Sequence, residues 1–253
     1  MYIAHTNSTN TRMRELIAKG EWPENESFLY AGYQTAGRGQ TGNGWESEAD
    51  KNLLCSIRID LSSWPLAIGR MFYLNVAVSV AVHRLISQKL TANSQALTIK
   101  WPNDIYWQDK KIAGILIENT IIGSEVKHSI AGIGLNVNQT EWHSDAPNPI
   151  SLKQITGQDY NIHELMQALY GEVQKAMQEE VWAYYRTHLY RREGFWPFVE
   201  REVSTIPTMN AATDAPDQFR ACIEDILPTG EIVLRDEQNQ KRIYHFKQIR
   251  YVI

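Results

Sequence analysis

Apolar residues recur along the chain in two spacings. In two long segments they stand three or four positions apart, which predicts amphipathic helices over residues 69–90 and 162–191. In shorter segments they alternate or run continuously, which predicts strands over residues 1–4, 28–33, 53–59, 97–101, 112–119 and 126–138. A first helix is predicted to follow the N-cap residue types at 8–10 and to end near Lys19, with Gly20 as its C′ residue. The pattern predicts an α/β (α+β) fold.

The pattern changes after Trp196. Two prolines, Pro207 and Pro216, stand among small polar residues, and the remaining segments are short strands at 219–227, 232–235 and from 243 onward, separated by turn signals. We predict a larger domain over residues 1–200 and a small all-β domain over 201–253. A segment this short buries little apolar surface, so we expect it to pack on the larger domain.

Composition indicates a soluble globular protein, with 253 residues, 43% hydrophobic and 21% charged. The net charge of −4 and the lack of any Lys/Arg run argue against a nucleic-acid partner. Cys55 and Cys222 are expected to be reduced structural thiols, which suits a cytoplasmic protein. No apolar run suggests a signal peptide or a membrane span. The seven histidines occur singly, so no zinc site built by the protein is expected.

The segment from Gln34 to Trp45 holds four glycines and Arg38. Glycine allows close backbone approach and arginine offers a bidentate fork, so the segment is a candidate anion site. Its glycines match G-x-G-x-x-G, but a Rossmann turn opens a helix, and here a strand is predicted to follow. Neither His-Arg-Asp nor Asp-Phe-Gly occurs, which argues against a kinase. Taken alone, the segment also fits a flexible connection.

Three further segments place polar groups at strand ends: Lys100-Trp-Pro-Asn-Asp104, Lys110-Lys-Ile-Ala-Gly-Ile-Leu-Ile-Glu118 and Ala131-Gly-Ile-Gly-Leu-Asn-Val-Asn138. In the first, proline ends the strand and stiffens a corner that carries opposite charges and an amide. In the second, Gly114 leaves room for a group to approach the backbone. Lysines at strand ends are usually solvated and strand glycines usually mark packing. It is the combination that indicates a site.

These segments together resemble the biotin protein ligases, also called biotin–[acetyl-CoA-carboxylase] ligases or holocarboxylase synthetases. The resemblance rests on Ser8-Thr-Asn10, Gly37-Arg-Gly39 through Trp45, Lys100-Trp-Pro-Asn-Asp104, Lys111-Ile-Ala-Gly-Ile-Leu116 and Gly132-Ile-Gly-Leu-Asn136, in the family's order. It covers about residues 5–140. The resemblance implies a mixed β-sheet flanked by helices, akin to class II aminoacyl-tRNA synthetases, as the catalytic domain over 1–200. It also implies a small Src-homology-3-type β-barrel over 201–253.

The activity that the resemblance implies has two steps. Biotin and ATP form biotinyl-5′-AMP with release of pyrophosphate, and a lysine of the biotin carboxyl carrier domain of a biotin-dependent carboxylase then takes the biotinyl group. Lys111 and Arg38 would supply positive charge where the two anions meet, and Lys100 and Asp104 are weaker catalytic candidates. Mg²⁺ would accompany ATP, near Asp104, without a metal site built by the protein alone.

The resemblance also implies two sets of binding residues. The biotin-binding set is Ser8, Thr9, Asn10, Gln34, Gly37, Arg38, Gly39, Lys111, Gly114 and Gly132. The set for ATP and the adenylate is Arg38, Gln40, Trp45, Asn103, Lys111 and Asn136. By the same resemblance, Ser8, Thr9 and Gln34 would hydrogen-bond the ureido head of biotin, which has two N–H donors and one carbonyl.

The sequence departs from the family at two positions and leaves several alternatives open. Gln40 and Asn43 stand where many members have arginine, so adenylate retention is expected to differ in detail. Because the biotin motif begins at Ser8, we expect no helix-turn-helix domain and no DNA binding. A lipoate ligase or octanoyltransferase, or a non-catalytic module that binds biotin or its adenylate, remains an alternative. Monomer and homodimer are both open.

Overall fold

A computed structural model describes residues 1–39, 44–61, 71–90, 94–122, 125–201 and 218–253. Its larger part is a mixed seven-stranded sheet. The strands are β1 (Tyr2–Thr6), β2 (Phe28–Gln34), β3 (Leu53–Asp60), β4 (Leu97–Lys100), β5 (Asp104–Trp107), β6 (Lys110–Ile122) and β7 (Glu125–Leu135). Their order is β1-β2-β3-β7-β6-β5-β4, and each neighbouring pair is antiparallel except β1–β2.

Helices cover both faces of this sheet. They are α1 (Thr9–Ala18), α2 (Phe72–Ser87), α3 (Leu152–Thr156), α4 (Ile162–Gln178) and α5 (Trp182–Thr187). One face contacts α1, and the opposite face contacts α2 and α4. Helix α2 is apolar around most of its circumference because it lies between the sheet and α4, and its Leu74, Val78 and Leu85 are fully buried. Over the described ranges, no helix combines the length and apolarity needed to cross a membrane.

The C-terminal part is a second sheet, which is antiparallel and five-stranded. It comprises β8 (Trp196–Glu200), β9 (Gln218–Ile226), β10 (Ile232–Asp236), β11 (Lys241–Tyr244) and β12 (Ile249–Tyr251), in the order β11-β10-β9-β8-β12. It packs on the larger part, since the indole N–H of Trp101 donates to the Gly230 carbonyl at 3.0 Å and Arg191 donates to the Val252 carbonyl at 2.6 Å. Strand β8 belongs to this sheet, although its residues precede the proposed domain division at 200/201.

Most predicted elements are confirmed with small shifts at their ends, but the single long helix predicted over 162–191 is wrong. Helix α4 ends at Gln178, because Glu179 takes an extended conformation and its carbonyl accepts a hydrogen bond from the Tyr73 hydroxyl. The chain then turns before α5, which buries Tyr185 completely in the core. The apolar spacing typical of a helix continues past Gln178, but burial of Tyr185 in the core determines the path of the chain there.

Strands β5 and β8 and helix α3 were not predicted, although the sequence carries a signal for β5 and for α3. Strand β5 follows the proline corner directly, and its Ile105 and Tyr106 are typical strand residues. Helix α3 begins with a capping box, in which Ser151 and Gln154 exchange hydrogen bonds, and it ends at Gly157 in the left-handed region. The prediction that the glycine-rich segment joins two strands is confirmed by β2 and β3.

Candidate active site

The predicted site residues converge on one pocket at the α1 face of the sheet. Those that line it are Ser8, Thr9, Asn10, Gln34, Arg38, Gly39, Trp45, Lys100, Asn103, Asp104, Lys111, Gly114 and Gly132. Gly37 and Asn136 are not among the lining residues, and Gln40 and Asn43 lie outside the described residues. Segments far apart in sequence therefore meet because β3, β7, β6 and β5 are neighbours in the sheet.

One end of the pocket is formed by the start of α1. Ser8 is the N-cap residue and is almost fully buried, yet its hydroxyl makes no capping hydrogen bond. The Thr9 backbone N–H and hydroxyl instead donate to Gln34 Oε1, at 2.7 and 3.1 Å. N-cap hydroxyls normally accept from the first turn of their own helix. Because Gln34 binds the helix start, the Ser8 hydroxyl is left for a group in the pocket.

Asn10 is held tightly within the protein. Its Oδ1 accepts from the Ser56 hydroxyl at 2.5 Å, and its Nδ2 donates to Glu118 Oε2 at 2.8 Å. A Cβ at position 132 would overlap the Asn10 amide, so Gly132 makes room for this side chain. Both ends of the amide are engaged inside the protein, and the biotin-binding role of Asn10 stays a prediction.

The Arg38 guanidinium lies beside the first turn of α1. It donates to the Thr11 hydroxyl at 3.0 Å and lies 3.6 Å from Glu118 Oε1, which pairs more closely with Arg14, at 2.6 Å. The Arg38 side chain is 45% exposed. Since its charge is shared with an acid that already has an arginine partner, Arg38 can turn to a stronger anion at little cost.

Lys111 enters the pocket because of a β-bulge. The pairs Tyr106↔Lys111 and Ile105↔Ala113 leave Ile112 without an opposite residue. In a regular strand, Lys111 and Gly114 would face opposite sides of the sheet; the extra residue puts both on the side of Asp104. The ammonium of Lys111 therefore forms an ion pair of 2.8 Å with Asp104. Ile112 itself is buried in the core.

Lys100 lies between aromatic rings. Its ammonium donates to the Tyr106 hydroxyl at 3.2 Å and lies 4.7 Å and 5.3 Å from the ring centres of Tyr106 and Tyr251. Burial lowers the pKa of Lys100 from 10.5 to about 8, although Asp104 opposes the shift. The side chain therefore forms the wall between the proline corner and the C-terminal sheet.

Trp45 lies over Gly114 and Gly134, two glycines that form the floor of the pocket. A Cβ on Gly134 would lie 2.5 Å from the indole Cε2, and one on Gly114 would lie 3.1 Å from Cζ3, so both glycines make room for the ring. The Lys111 ammonium lies 5.6 Å from the ring centre. The indole N–H is buried and has no partner among the described residues. A backbone hydrogen bond of 3.0 Å from the Trp45 N–H to the Gly37 carbonyl holds Trp45 in this position.

Of the two remaining amides, Asn103 lines the pocket and Asn136 does not. Asn103 donates to the Ile115 carbonyl at 2.6 Å and braces the corner against β6. Asn136 donates to the Ile150 carbonyl at 3.0 Å, and its Oδ1 is buried without a partner among the described residues. That oxygen is an acceptor available to a donor group that reaches it.

The pocket is strongly positive although the chain is net acidic. Six described cations line it, namely Arg38, Lys100, Lys111, Arg201, Lys247 and Arg250. Asp104 is the only carboxylate among the described lining residues. Sequence reasoning missed the last three cations, together with Tyr251 and Phe246, because they belong to no motif and only the packing of the two sheets brings them here. It also assigned no role to Gly134, which lies inside a quoted motif.

The donor set matters for any metal. Among the described residues, no group of three or more His, Cys, Asp or Glu side chains is arranged to hold an ion. Mg²⁺ commonly binds through one or two carboxylates together with nucleotide phosphates and water. Asp104 fits that role, as the single acidic group available in the described wall.

Comparison with known proteins defines the class of the fold. The biotin protein ligase from Aquifex aeolicus, solved in complex with biotin and ATP, superposes with a TM-score of 0.75 at 19% identity, covering 100% of this chain and 98% of that one. This likeness shows the shared fold: a mixed sheet flanked by helices with a C-terminal antiparallel sheet.

Residues 2–136 match the biotin/lipoate A/B protein ligase family, and the chain belongs to that family. The bifunctional ligase/repressor BirA of Escherichia coli is 29% identical over 197 residues, which are 77% of this chain and 55% of that protein. The biotin–[acetyl-CoA-carboxylase] ligase of Mycobacterium tuberculosis is 31% identical over 150 residues, 59% of this chain and 53% of that protein. The chain thus spans about half the length of these relatives.

Proposed function

We propose that this protein is a biotin protein ligase, which activates biotin with ATP as biotinyl-5′-AMP and transfers it to a lysine of a biotin carboxyl carrier domain. The observation that carries the proposal is that two chemically different sets of groups line one pocket. The uncharged hydrogen-bonding groups Ser8, Thr9 and Gln34 are called the uncharged end here, and the cations, Lys111 and Arg38 among them, are called the cationic end. Such a pocket suits a condensation between two substrates. One has a neutral polar head and a carboxylate tail, and the other is a polyanionic nucleotide.

The uncharged end favours biotin over lipoate. The ureido group has two N–H donors and a carbonyl, all of which need partners when buried, whereas a dithiolane has none of these groups. The Ser8 hydroxyl, which makes no capping hydrogen bond, and the Gln34 amide would bind such a head. Leaving these buried polar groups without partners would penalise a dithiolane.

The cationic end serves the first chemical step. Attack of the biotin carboxylate on the α-phosphorus brings two anions together and requires positive charge where they meet. Lys111, aligned by the bulge and by Asp104, would lie at that point, and Arg38 would leave Glu118 for the phosphate. Mg²⁺ carried with ATP would neutralise phosphate charge, with Asp104 as its protein partner.

The Trp45 indole would protect the product. A mixed anhydride hydrolyses unless water is kept away, and the Trp45 ring already lies over Gly114 and Gly134 in the pocket. Asn136, with its unpartnered acceptor, and the Trp45 ring together would suit an adenine, which offers an exocyclic amino donor and a flat face. Asn103 would act by bracing the corner.

The test is mass spectrometry of a folded biotin carrier domain after incubation with this protein, ATP and Mg²⁺, with biotin and lipoate in parallel reactions. The proposal expects the mass of one biotinyl group on one lysine of the carrier. Lipoylation instead would assign the chain to the other branch of its family. Binding of biotin without any ATP-dependent product would show a non-catalytic module. A cytoplasmic location is part of this proposal, and both a monomer and a homodimer are compatible with it.

A further inference from the structure

We propose that Glu118 and Arg14 control how readily Arg38 leaves its position in the structure to bind a nucleotide phosphate. Both are positioning residues for the first step of the reaction, because Glu118 holds Arg38 and Arg14 weakens that hold. The inference deepens the proposed function and rests on it for the role of Arg38. Arg38 is among the residues that line the pocket, whereas Glu118 of β6 and Arg14 of α1 are not.

The carboxylate of Glu118 is fixed in place by a buried amide. Its Oε2 accepts a hydrogen bond of 2.8 Å from Asn10 Nδ2, and the buried Asn10 side chain is itself held by the Ser56 hydroxyl. Glu118 therefore cannot follow a departing arginine without breaking the hydrogen bond to Asn10. Arg14 and Arg38 are long side chains that are 44% and 45% exposed, so they are the groups that are free to move.

Both arginines contact the other oxygen of Glu118. Its Oε1 lies 2.6 Å from an Arg14 nitrogen and 3.6 Å from an Arg38 nitrogen. Asn10 and Arg14 are four residues apart on α1, so they lie on the same side of the helix and both reach Glu118. Arg38 comes from the segment after β2, and the nitrogen that faces Glu118 also donates to the Thr11 hydroxyl at 3.0 Å. Two guanidinium groups therefore share one carboxylate oxygen.

This sharing weakens the hold of Glu118 on Arg38. Two guanidinium groups against one oxygen repel each other, and the repulsion offsets part of the attraction between Arg38 and the carboxylate. When Arg38 moves to a phosphate, Glu118 keeps its closer partner Arg14, so its charge stays paired. If Arg14 were absent, the departure of Arg38 would leave that charge with the Asn10 amide as its remaining partner among the described residues. Arg14 therefore lowers the cost of moving Arg38.

Changes at the two positioning residues should shift ATP binding in opposite directions. Arg14→Ala should strengthen the hold on Arg38 and weaken ATP binding. Glu118→Gln should remove the hold and strengthen ATP binding, while its amide oxygen still accepts from Asn10. Ion pairs with this exposure are weak, so we expect each change to alter the Kd for ATP by roughly 2- to 5-fold. In the Glu118→Gln background, Arg14→Ala should have no effect, because no carboxylate charge is left for the two arginines to share.

The experiment uses the full chain with Arg14→Ala, with Glu118→Gln and with both changes. The matched control is Arg12→Ala, since Arg12 lies on the same helix, does not line the pocket and pairs with Glu15 at 3.7 Å. Calorimetric titration with ATP and Mg²⁺ at low ionic strength, where exposed ion pairs are least screened, gives the Kd.

The hold on Arg38 is measured separately, without nucleotide. Phenylglyoxal modifies free guanidinium groups, and peptide mass spectrometry gives the rate of modification at Arg38. Relative to wild type, this rate should fall in Arg14→Ala and rise in Glu118→Gln. The variant with both changes should match Glu118→Gln, and Arg12→Ala should match wild type in both measurements. Circular dichroism checks that every variant is folded.

Three results would overturn the inference. An equal loss of ATP affinity from Arg14→Ala with Glu118 and with Gln at position 118 would show that Arg14 acts on ATP only as a distant positive charge. Equal losses from Arg12→Ala and Arg14→Ala would show the same. Unchanged modification of Arg38 in both single variants would show that Glu118 does not hold it. If the wild type forms no biotinyl-5′-AMP, the proposed function alone is refuted, because the modification rates still test the hold.

Discussion

Replacing Lys111 by alanine removes the ammonium that the β6 bulge directs at Asp104, and we expect adenylate formation to slow by a factor of roughly 10² to 10³. That factor equals about 3 to 4 kcal/mol of transition-state stabilisation, the usual cost of losing a charge contact with a developing anion. Biotin binding should stay measurable, because the uncharged end of the pocket keeps all its groups.

The effect on folding should be much smaller. The Lys111 and Asp104 side chains are 31% and 27% exposed, and ion pairs with this access to water contribute about 1 kcal/mol or less to stability. Because the kinetic loss exceeds this amount severalfold, the two effects can be told apart. Urea unfolding of the variant should therefore show a free energy of unfolding within about 1 kcal/mol of wild type.

The assay is pyrophosphate release in a single turnover, with biotin binding measured separately by calorimetry. Lys110→Ala is the matched control, since Lys110 is the neighbouring lysine on β6, is exposed and does not line the pocket. It should release pyrophosphate at the wild-type rate. If Lys111→Ala also kept the wild-type rate, or if both variants slowed equally, the role of Lys111 in the reaction would be refuted.

Three further predictions concern Ser8 at the start of α1, Gly132 in the pocket lining and the buried His83. Ser8→Ala should weaken biotin binding about 10-fold or more. A lost N-cap typically costs about 1 kcal/mol, and the free energy of unfolding should change by less than this because the Ser8 hydroxyl makes no capping hydrogen bond. Gly132→Ala should lower the free energy of unfolding by about 1–3 kcal/mol, since the added methyl overlaps the buried Asn10 amide. Burial lowers the pKa of His83 from 6.5 to about 4, so the unfolded chain binds more protons between these values and stability falls with falling pH. From pH 7 to pH 5 that loss should be about 2 kcal/mol in urea unfolding, and His83→Gln should reduce it.

Each of these has a clear contrary outcome. Wild-type biotin affinity of Ser8→Ala, measured by calorimetry, would remove the hydroxyl from the biotin end. Unchanged urea unfolding of Gly132→Ala would mean that Asn10 is free to move. An identical pH dependence of wild type and His83→Gln would place the acid sensitivity in other groups.

Local sequence patterns carried most of the secondary structure and the identity of the site motifs. Helix α2 and strands β2, β3 and β6 follow from the spacing of their apolar residues, and Gly20 ends the region of α1 with φ of +69°, as predicted. The end of α4 at Gln178 could not be read in this way, because it depends on a hydrogen bond from Tyr73, about a hundred residues earlier in the chain. The spacing of apolar residues shows the local preference for helix or strand, whereas the burial of Tyr185 depends on residues distant in sequence.

The tertiary structure alone decided how the motif residues are aimed. Alternation along β6 predicts opposite faces for Lys111 and Gly114, and only the bulge at Ile112 brings them to the same side. Lys247 and Arg250 carry no motif, and they reach the pocket because the second sheet packs against Trp101 and the proline corner. A sequence shows which chemical groups are present and how they are spaced along the chain. Which of them share a cavity depends on sheet register and on contacts between segments distant in sequence, and these are set by burial over the whole chain.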